Sequence, residues 1–357
     1  MNQKRIEFFI VLVLLFLNVF FFLDRYLHFN IFYPPRDNKP KTHTVGIKTR
    51  TYELDSINVA ELTFIPPEAC LIPNAEQYIN GVEYILNKWG NESNFSENLV
   101  RLADKIKNEI HPDSLKYMDD HQKRNYIHNY IINHKSEINF KEKLQLPEID
   151  FTPLFTVLNH IRPEDDYILD YLYYYDIGSG IPMIYARRRD TPPYSSMNAF
   201  PGWEQYLVNM YLPESLERQF TPHIITDQTA LGYFQLAVLS LYCDHFFLVW
   251  HSNYRDETIV TSFEDAYKLM ELTGFQIESF LDSTTADKLI DIAVELDQMD
   301  LTPYVIFKNN TAQIVFYYFT YLDGLYKAEW IVDRAVPHQE ISFTRHLIIK
   351  NEAPILF

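Results

Sequence analysis

An uninterrupted apolar run near the amino terminus constrains this chain more than any other feature. Residues Phe8 to Leu23 carry no charge, and Asn18 is their one polar side chain. A helix rises about 1.5 Å per residue, so a run of this length covers roughly 24 Å of a hydrocarbon core about 30 Å thick. Ile6 and the pair Tyr26–Leu27 extend the apolar stretch at its two ends. We therefore predict a single transmembrane helix that contacts the membrane through residues 6–27.

The residues after this run indicate that the segment stays attached. The sequence Asp24-Arg25-Tyr26-Leu27-His28 lacks the small residues of a signal-peptide cleavage site. Basic residues flank both sides, with Lys4 and Arg5 before the run and further Arg and Lys residues after it, so charge leaves both orientations open. A short amino-terminal tail is commonly held inside the cell, which favours a body outside the cytoplasm.

The first residues also resemble a known kind of membrane anchor. The segments Lys4–Phe8 and Leu15–Phe20 are similar to the anchors of small accessory regulators of bacterial sensor kinases. The resemblance implies membrane attachment. It does not extend into the rest of the chain, so it implies nothing about the fold or the activity of the body.

The chain beyond the anchor is acidic. Residues 1–50 hold eight basic and three acidic side chains, a net charge of +5, so the total of −17 leaves −22 on residues 51–357. A body of this charge is repelled by phosphate backbones, which argues against nucleic-acid binding. Cys70 and Cys243 are the only cysteines, too few for a disulfide framework or a zinc site. No cofactor motif occurs, and we predict neither a cofactor nor a metal.

Composition and periodicity divide the chain into four parts. The predicted parts are a transmembrane anchor at 1–29, a Pro-rich spacer at 30–73, a helical region at 74–160 and a domain of β-hairpins with two to three helices at 161–357. Helices joined to long antiparallel strands are typical of the α+β class. We therefore predict an α+β fold with a transmembrane helix, a small helical region and antiparallel sheets with interspersed helices.

Turn and cap signals locate the individual elements. Asn74 and Gln77 form a capping box, and Gly90 is placed to end the helix that they open. Ser262 and Asp265 open a second capped helix. The predicted strands are Thr49–Leu54, Tyr167–Asp176 with Ile181–Arg189, Tyr233–Tyr242 with Phe246–His251, Tyr304–Lys308, Ala312–Leu322, Leu325–Asp333 and Ile341–Ile349. Asp323-Gly324 is the strongest of the hairpin turn signals.

Arg187, Arg188 and Arg189 form the densest basic cluster in the acidic body. Guanidinium groups bind carboxylates and phosphates through paired hydrogen bonds. The cluster is therefore a candidate binding site for an anion or an acidic peptide. The alternative is that these arginines pair with carboxylates of the chain itself.

Asp244, His245 and His251 are the candidate catalytic residues. A carboxylate beside an imidazole is the combination that activates a nucleophile or a water molecule in hydrolases. On a strand, adjacent side chains point to opposite faces, so Asp244 and His245 would diverge unless a tight turn changes their directions. The alternative is a polar turn beside core aromatic residues.

No catalytic signature with a fixed spacing occurs in the chain, which shapes the functional prediction. We predict a single-pass, membrane-anchored, non-catalytic binding or accessory protein with an unidentified protein partner. Exposed aromatic residues at Tyr171–Tyr175 or Phe316–Tyr321 would supply the contact surface; the alternative is that they fill the core. A membrane-tethered hydrolase with its site near Asp244, His245 and His251 is the alternative function.

Overall fold

A computed structural model describes part of the chain between Thr51 and Glu352, which forms one unit. The described residues are 51–54, 63–92, 138–176, 179–203, 215–250, 257–262, 299–320 and 323–352, with residues 122, 126, 129, 133, 264–266 and 268–269 between them. Their few helices and antiparallel sheets make this part of the chain α+β, as predicted. None of the helices in these ranges has the length and apolarity to cross a membrane. Residues 6–27 lie outside them, so the transmembrane helix stays a prediction.

Four α-helices lie wholly within the described ranges. They are α1 (Glu76–Glu92), α2 (Phe140–Lys143), α3 (Thr152–Val157) and α4 (Ala230–Tyr242). Helix α1 buries Ile79, Val82 and Leu86, which recur at the spacing of one helical face. The prediction that Gly90 ends this helix was wrong, because α1 continues through that residue to Glu92. A single helical Gly costs only about 1 kcal/mol relative to Ala, which neighbouring turns can offset.

Helix α4 is the largest departure from the sequence prediction, which placed a strand at Tyr233–Tyr242. Eleven of its residues, from Gly232 to Tyr242, are buried. A helix that is buried on all sides has no polar face, so its sequence lacks the 3.6-residue period and resembles a buried strand. Thr229 caps the helix, because its Oγ1 accepts a hydrogen bond from the N–H of Gly232 at 3.0 Å. The predicted hairpin with Phe246–His251 therefore does not form.

An antiparallel seven-stranded sheet forms the larger layer. Its strands are β1 (Thr51–Leu54), β2 (Cys70–Leu71), β8 (Thr258–Val260), β9 (Tyr304–Lys308), β10 (Thr311–Thr320), β11 (Gly324–Asp333) and β12 (Glu340–Glu352). Their order is β1-β12-β11-β10-β9-β2, and β8 also pairs with β10. The three consecutive strands predicted between Tyr304 and Asp333 are confirmed, and they form a meander of β9, β10 and β11. Its turns place Asn309 and Gly324 in the left-handed region, at φ 50° and 119°.

Two smaller sheets complete the strands. One joins β3 (Ile161–Pro163) to β6 (Ile224–Thr226), and the other has the order β4 (Tyr167–Asp176), β5 (Ser179–Arg188) and β7 (Val249–Trp250). The predicted β4–β5 hairpin is confirmed, and its pairing runs from Tyr167 opposite Arg188 to Asp176 opposite Ser179. Strand β7 pairs with β5. The sequence predicts Tyr233–Tyr242 as the partner of this strand, but β5 is its partner in the structure.

The core lies on both faces of the seven-stranded sheet. Residues Ala312, Ile314, Phe316 and Tyr318 of β10 pack in one cluster with α1 and α4, while Tyr317 and Phe319 alternate with them and pack against Val260 and Leu301. The predicted aromatic surface is wrong for most of its residues. Tyr171, Tyr173, Tyr174 and Phe316 to Phe319 are at most 4% exposed, so these aromatic rings fill the core.

The N-cap at Ser262 is confirmed, although the described residues show no bond from the Ser262 backbone N–H to Asp265, and it gives a first testable prediction. Ser262 Oγ accepts a hydrogen bond from the backbone N–H of Asp265 at 3.2 Å and donates one to the Asp265 carboxylate at 2.7 Å. We expect Ser262→Ala to lower the free energy of unfolding by about 1 kcal/mol, as measured by urea denaturation. Ser196 precedes a 3₁₀ turn without capping it, so Ser196→Ala is the control and should change little. Equal effects would contradict the capping role.

Candidate functional site

The three predicted binding arginines lie at the end of β5, and each one contacts the chain itself. Arg187 Nε donates to the buried carboxylate of Asp170 at 2.7 Å, and Arg188 Nε lies 3.3 Å from the carboxylate of Asp190. Arg189 Nε donates to a backbone carbonyl at 3.0 Å. An incoming anion would have to compete with these internal partners. Anion binding by this cluster stays a prediction without support from the geometry.

Two of the three predicted catalytic residues, Asp244 and His245, lie in the turn that follows α4. Asp244 is 3% exposed, and its Oδ1 lies 3.9 Å from Nε2 of His245. A turn follows the helix here instead of a strand, so these adjacent side chains can point toward the same side. His251 lies outside the described residues, and its place in the site stays a prediction.

Glu257 interacts electrostatically with Asp244 and His245 and with two arginines, Arg218 and Arg345. Arg218 is 8% exposed, and its Nε donates to the carbonyl of Ser240 at 3.1 Å, in the last turn of α4. Glu257 immediately precedes β8, and Arg345 lies on β12. Burial raises the pKa of the Glu257 carboxyl group, while the charges of Arg218, His245 and Arg345 act in the opposite direction. Four ionisable groups from three other chain segments therefore act on Glu257, and we call these five residues the Glu257 cluster.

The Glu257 cluster combines an imidazole with two carboxyl and two guanidinium groups. Buried charges are costly unless they are paired, so such clusters are either structural networks or functional sites. Burial, with the nearby Asp244 charge, raises the pKa of the Cys243 thiol, which keeps this cysteine protonated and unreactive. Among the described residues, no three His, Cys, Asp or Glu side chains are placed to hold a metal ion.

The raised pKa of Glu257 predicts a pH dependence of stability. A carboxyl group whose pKa is higher in the folded protein contributes fully below its unfolded pKa of about 4.5, and this contribution is lost as the pH rises through the folded pKa. We therefore expect the unfolding free energy of the wild type to fall relative to that of Glu257→Gln as the pH rises. Urea denaturation between about pH 4 and 8 measures it, and parallel pH profiles for the two proteins would contradict it.

A second site is an open pocket of about 500 Å³ at the start of α1. Three chain segments meet there: the turn from β2 into α1, Thr261 after β8, and Thr302–Pro303 before β9. The residues around the pocket are Ile72, Pro73, Asn74, Ala75, Glu76, Gln77, Asn80, Thr261, Thr302 and Pro303. Sequence reasoning treated Asn74 and Gln77 only as helix caps, because nothing in the sequence brings the other two segments to them.

Amide side chains dominate the polar lining of this pocket. Asn74, Gln77 and Asn80 are exposed, and their side chains make no hydrogen bond within the described part of the protein. The predicted capping box of Asn74 and Gln77 was therefore wrong: the helix begins at Glu76, and Asn74 has a positive φ of 57°. Glu76 is the one charged residue of the lining, and its carboxylate accepts a hydrogen bond from Thr261 Oγ1 at 3.3 Å. The pocket therefore offers donors and acceptors to a ligand at little cost in internal hydrogen bonds.

The two sites differ in what they offer to a ligand. The charged groups of the Glu257 cluster interact with protein groups, whereas the amides of the pocket face solvent. No protein-family model, curated protein or solved structure matches this chain. Its function must therefore be inferred from the chemistry of these residues.

Proposed function

We propose that this chain is a single-pass, membrane-anchored, non-catalytic binding protein whose body holds a protein partner beside the bilayer. The observation that carries the proposal is the open pocket at the start of α1, whose exposed amides are available to a partner. The apolar run Phe8–Leu23 supports the anchor, since it is long enough to cover most of a bilayer core. Buried aromatic strands cannot supply the contact surface, so the pocket takes that role.

The charge of the body limits the kind of partner. Residues 51–357 carry a net charge of −22, which repels nucleic acid and anionic lipid headgroups and attracts basic proteins. Charge complementarity of this kind mainly raises association rates and selects partners. The basic residues that flank the apolar run would hold the anchor at the membrane surface.

Cell fractionation of the full chain with a reporter after Phe357 tests the anchor. We expect the protein to sediment with membranes, to resist extraction by high salt and to be released by detergent. An extracytoplasmic reporter signal would agree with the predicted orientation. A freely soluble mature protein without its first thirty or so residues would refute the proposal.

A membrane-tethered hydrolase is the second candidate, because Asp244 and His245 approach within 3.9 Å in the Glu257 cluster. His245 keeps 18% of its side chain exposed, so it is the group that a substrate could reach. On this alternative, His245→Gln abolishes the cellular phenotype of the protein. On the binding proposal, His245→Gln retains the phenotype, and substitutions in the pocket remove it.

A further inference from the structure

We propose that the pocket at the start of α1 binds the backbone of an extended, basic peptide segment of the partner. The inference rests on the proposed function, because it gives the partner's chemistry for the same pocket. Four features of the pocket carry it: hydrogen bonds that hold its walls, the spacing of its amides, the backbone groups of the neighbouring edge strand and the charge of its lining.

Hydrogen bonds between the three segments hold the pocket walls. The backbone N–H of Ile72 donates to the carbonyl of Pro303 at 2.9 Å, which joins the first segment to the third. Thr261 Oγ1 donates to the Glu76 carboxylate at 3.3 Å, which joins the second segment to the start of α1. A site that is formed before its ligand arrives loses less entropy on binding.

The amide spacing suits an extended peptide. Gln77 and Asn80 lie three residues apart on α1, so their Cβ atoms are separated by about 5–6 Å. In an extended chain, every second residue turns its N–H and C=O to the same edge, at a repeat of about 6.6 Å. An amide side chain both donates and accepts hydrogen bonds, as a peptide group does. Residues two apart in a bound segment can therefore turn their peptide groups to Asn80 and Gln77.

The neighbouring edge strand supplies matching backbone groups. Strand β2 is the end strand of the large sheet on this side, and Cys70 and Leu71 pair with Val305 and Tyr304 of β9. The Ile72–Pro303 hydrogen bond sets the antiparallel alternation, so the N–H and C=O of Leu71 point away from β9. Among the described residues no strand pairs with the outer edge of β2, and Leu71 is 50% exposed there. An extended segment that enters the pocket can hydrogen-bond there by strand addition.

The charge of the lining selects a basic segment. Glu76 is exposed within the pocket, and the body around it is strongly acidic. An exposed ion pair adds little affinity, but the field of the whole body favours cationic over anionic peptides. We therefore expect basic peptides to bind more tightly than neutral ones, and neutral ones more tightly than acidic ones.

Fluorescence anisotropy on the full chain in detergent tests the inference. The probes are three fluorescein-labelled pools of random hexapeptides, which are basic, neutral and acidic, and a basic pool with N-methylated backbone amides. We expect the basic pool to bind best and N-methylation to abolish its binding. Gln77→Ala and Asn80→Ala should each weaken binding about fivefold, because each removes one hydrogen bond. Asn87→Ala is the matched control, since Asn87 is an exposed amide on the same helix outside the pocket.

Several outcomes would overturn the inference. They are equal binding of the basic pool to wild type and to the Gln77→Ala/Asn80→Ala double variant, equal binding of the N-methylated pool, absence of binding by any pool, or binding of maltohexaose in place of peptides. Unchanged urea denaturation curves would show that the variants fold. Because the assay needs no bilayer, peptide binding by a protein that fractionates as soluble would refute only the anchor. Membrane attachment without peptide binding would refute only the pocket.

Discussion

Asp170→Ala should lower the free energy of unfolding by about 3–5 kcal/mol. Asp170 is 6% exposed, and its carboxylate accepts hydrogen bonds from Arg187 Nε at 2.7 Å, from Lys141 Nζ at 3.2 Å and from the backbone N–H of Tyr171 at 2.8 Å. Without the carboxylate, Arg187 of β5 and Lys141 of α2 would lose the buried counterion that they share, and Lys141 would keep only its ion pair with the exposed Glu148. Leaving a buried charge uncompensated costs far more than losing a surface pair.

Asp190→Ala is the matched control for this prediction. Asp190 pairs with Arg188 at 3.3 Å, but its side chain is 73% exposed. Removing it should change the unfolding free energy by no more than about 0.5 kcal/mol. Urea denaturation of the full chain in detergent, followed by circular dichroism, measures both variants. A loss at Asp170 no larger than that at Asp190 would show that the buried network contributes little to stability.

Gly232→Ala should destabilise the protein by about 1–3 kcal/mol. A Cβ atom at this position would lie 2.5 Å from Oδ1 of Asp227 and 3.2 Å from the backbone oxygen of His160. The carboxylate cannot easily move aside, because its oxygens bond His160 Nδ1 at 2.6 Å and Thr229 Oγ1 at 2.6 Å. The substitution must therefore break these bonds or push α4 away from them.

Gly90→Ala, on α1, should stabilise the protein, in contrast to Gly232→Ala. A Cβ atom at Gly90 would meet nothing within 4 Å. Ala has a higher helix propensity than Gly, so this variant should gain about 0.5–1 kcal/mol. Thermal denaturation of the two variants side by side should shift the midpoints in opposite directions. Destabilisation by both substitutions would point to a general intolerance of Ala and would contradict the steric explanation.

Local signals predicted those elements whose structure depends on neighbours in sequence. The hairpin from Tyr167 and the meander from Tyr304 each combine alternating or β-branched residues with a turn signal, and both form. The strand predicted at Tyr233–Tyr242 is a helix, because complete burial removes the polar face that would reveal the helical period. The Gly90 stop failed for a related reason, since a glycine signal cannot show whether the helix continues beyond it.

The sites depend on contacts between distant segments, which limits what the sequence can predict. Asp244 and His245 are adjacent in the sequence, which made their pairing predictable, and they lie 3.9 Å apart in the structure. Arg218, Glu257 and Arg345 have no motif or spacing that links them, so only the fold reveals that they interact. The pocket could not be predicted for the same reason. In the sequence, Asn74 and Gln77 indicate only the start of a helix, and nothing links them to Thr261 or Thr302.

Strand β10 has consequences for how the body opens. It is hydrogen-bonded to β11 along its length and to β9 and β8 on its other side, and residues from Ile314 to Thr320 are buried. Solvent can reach its amide protons only when neighbouring strands and both hydrophobic layers separate together. Deuterium should therefore enter this strand last, at a rate that reports unfolding of the entire body.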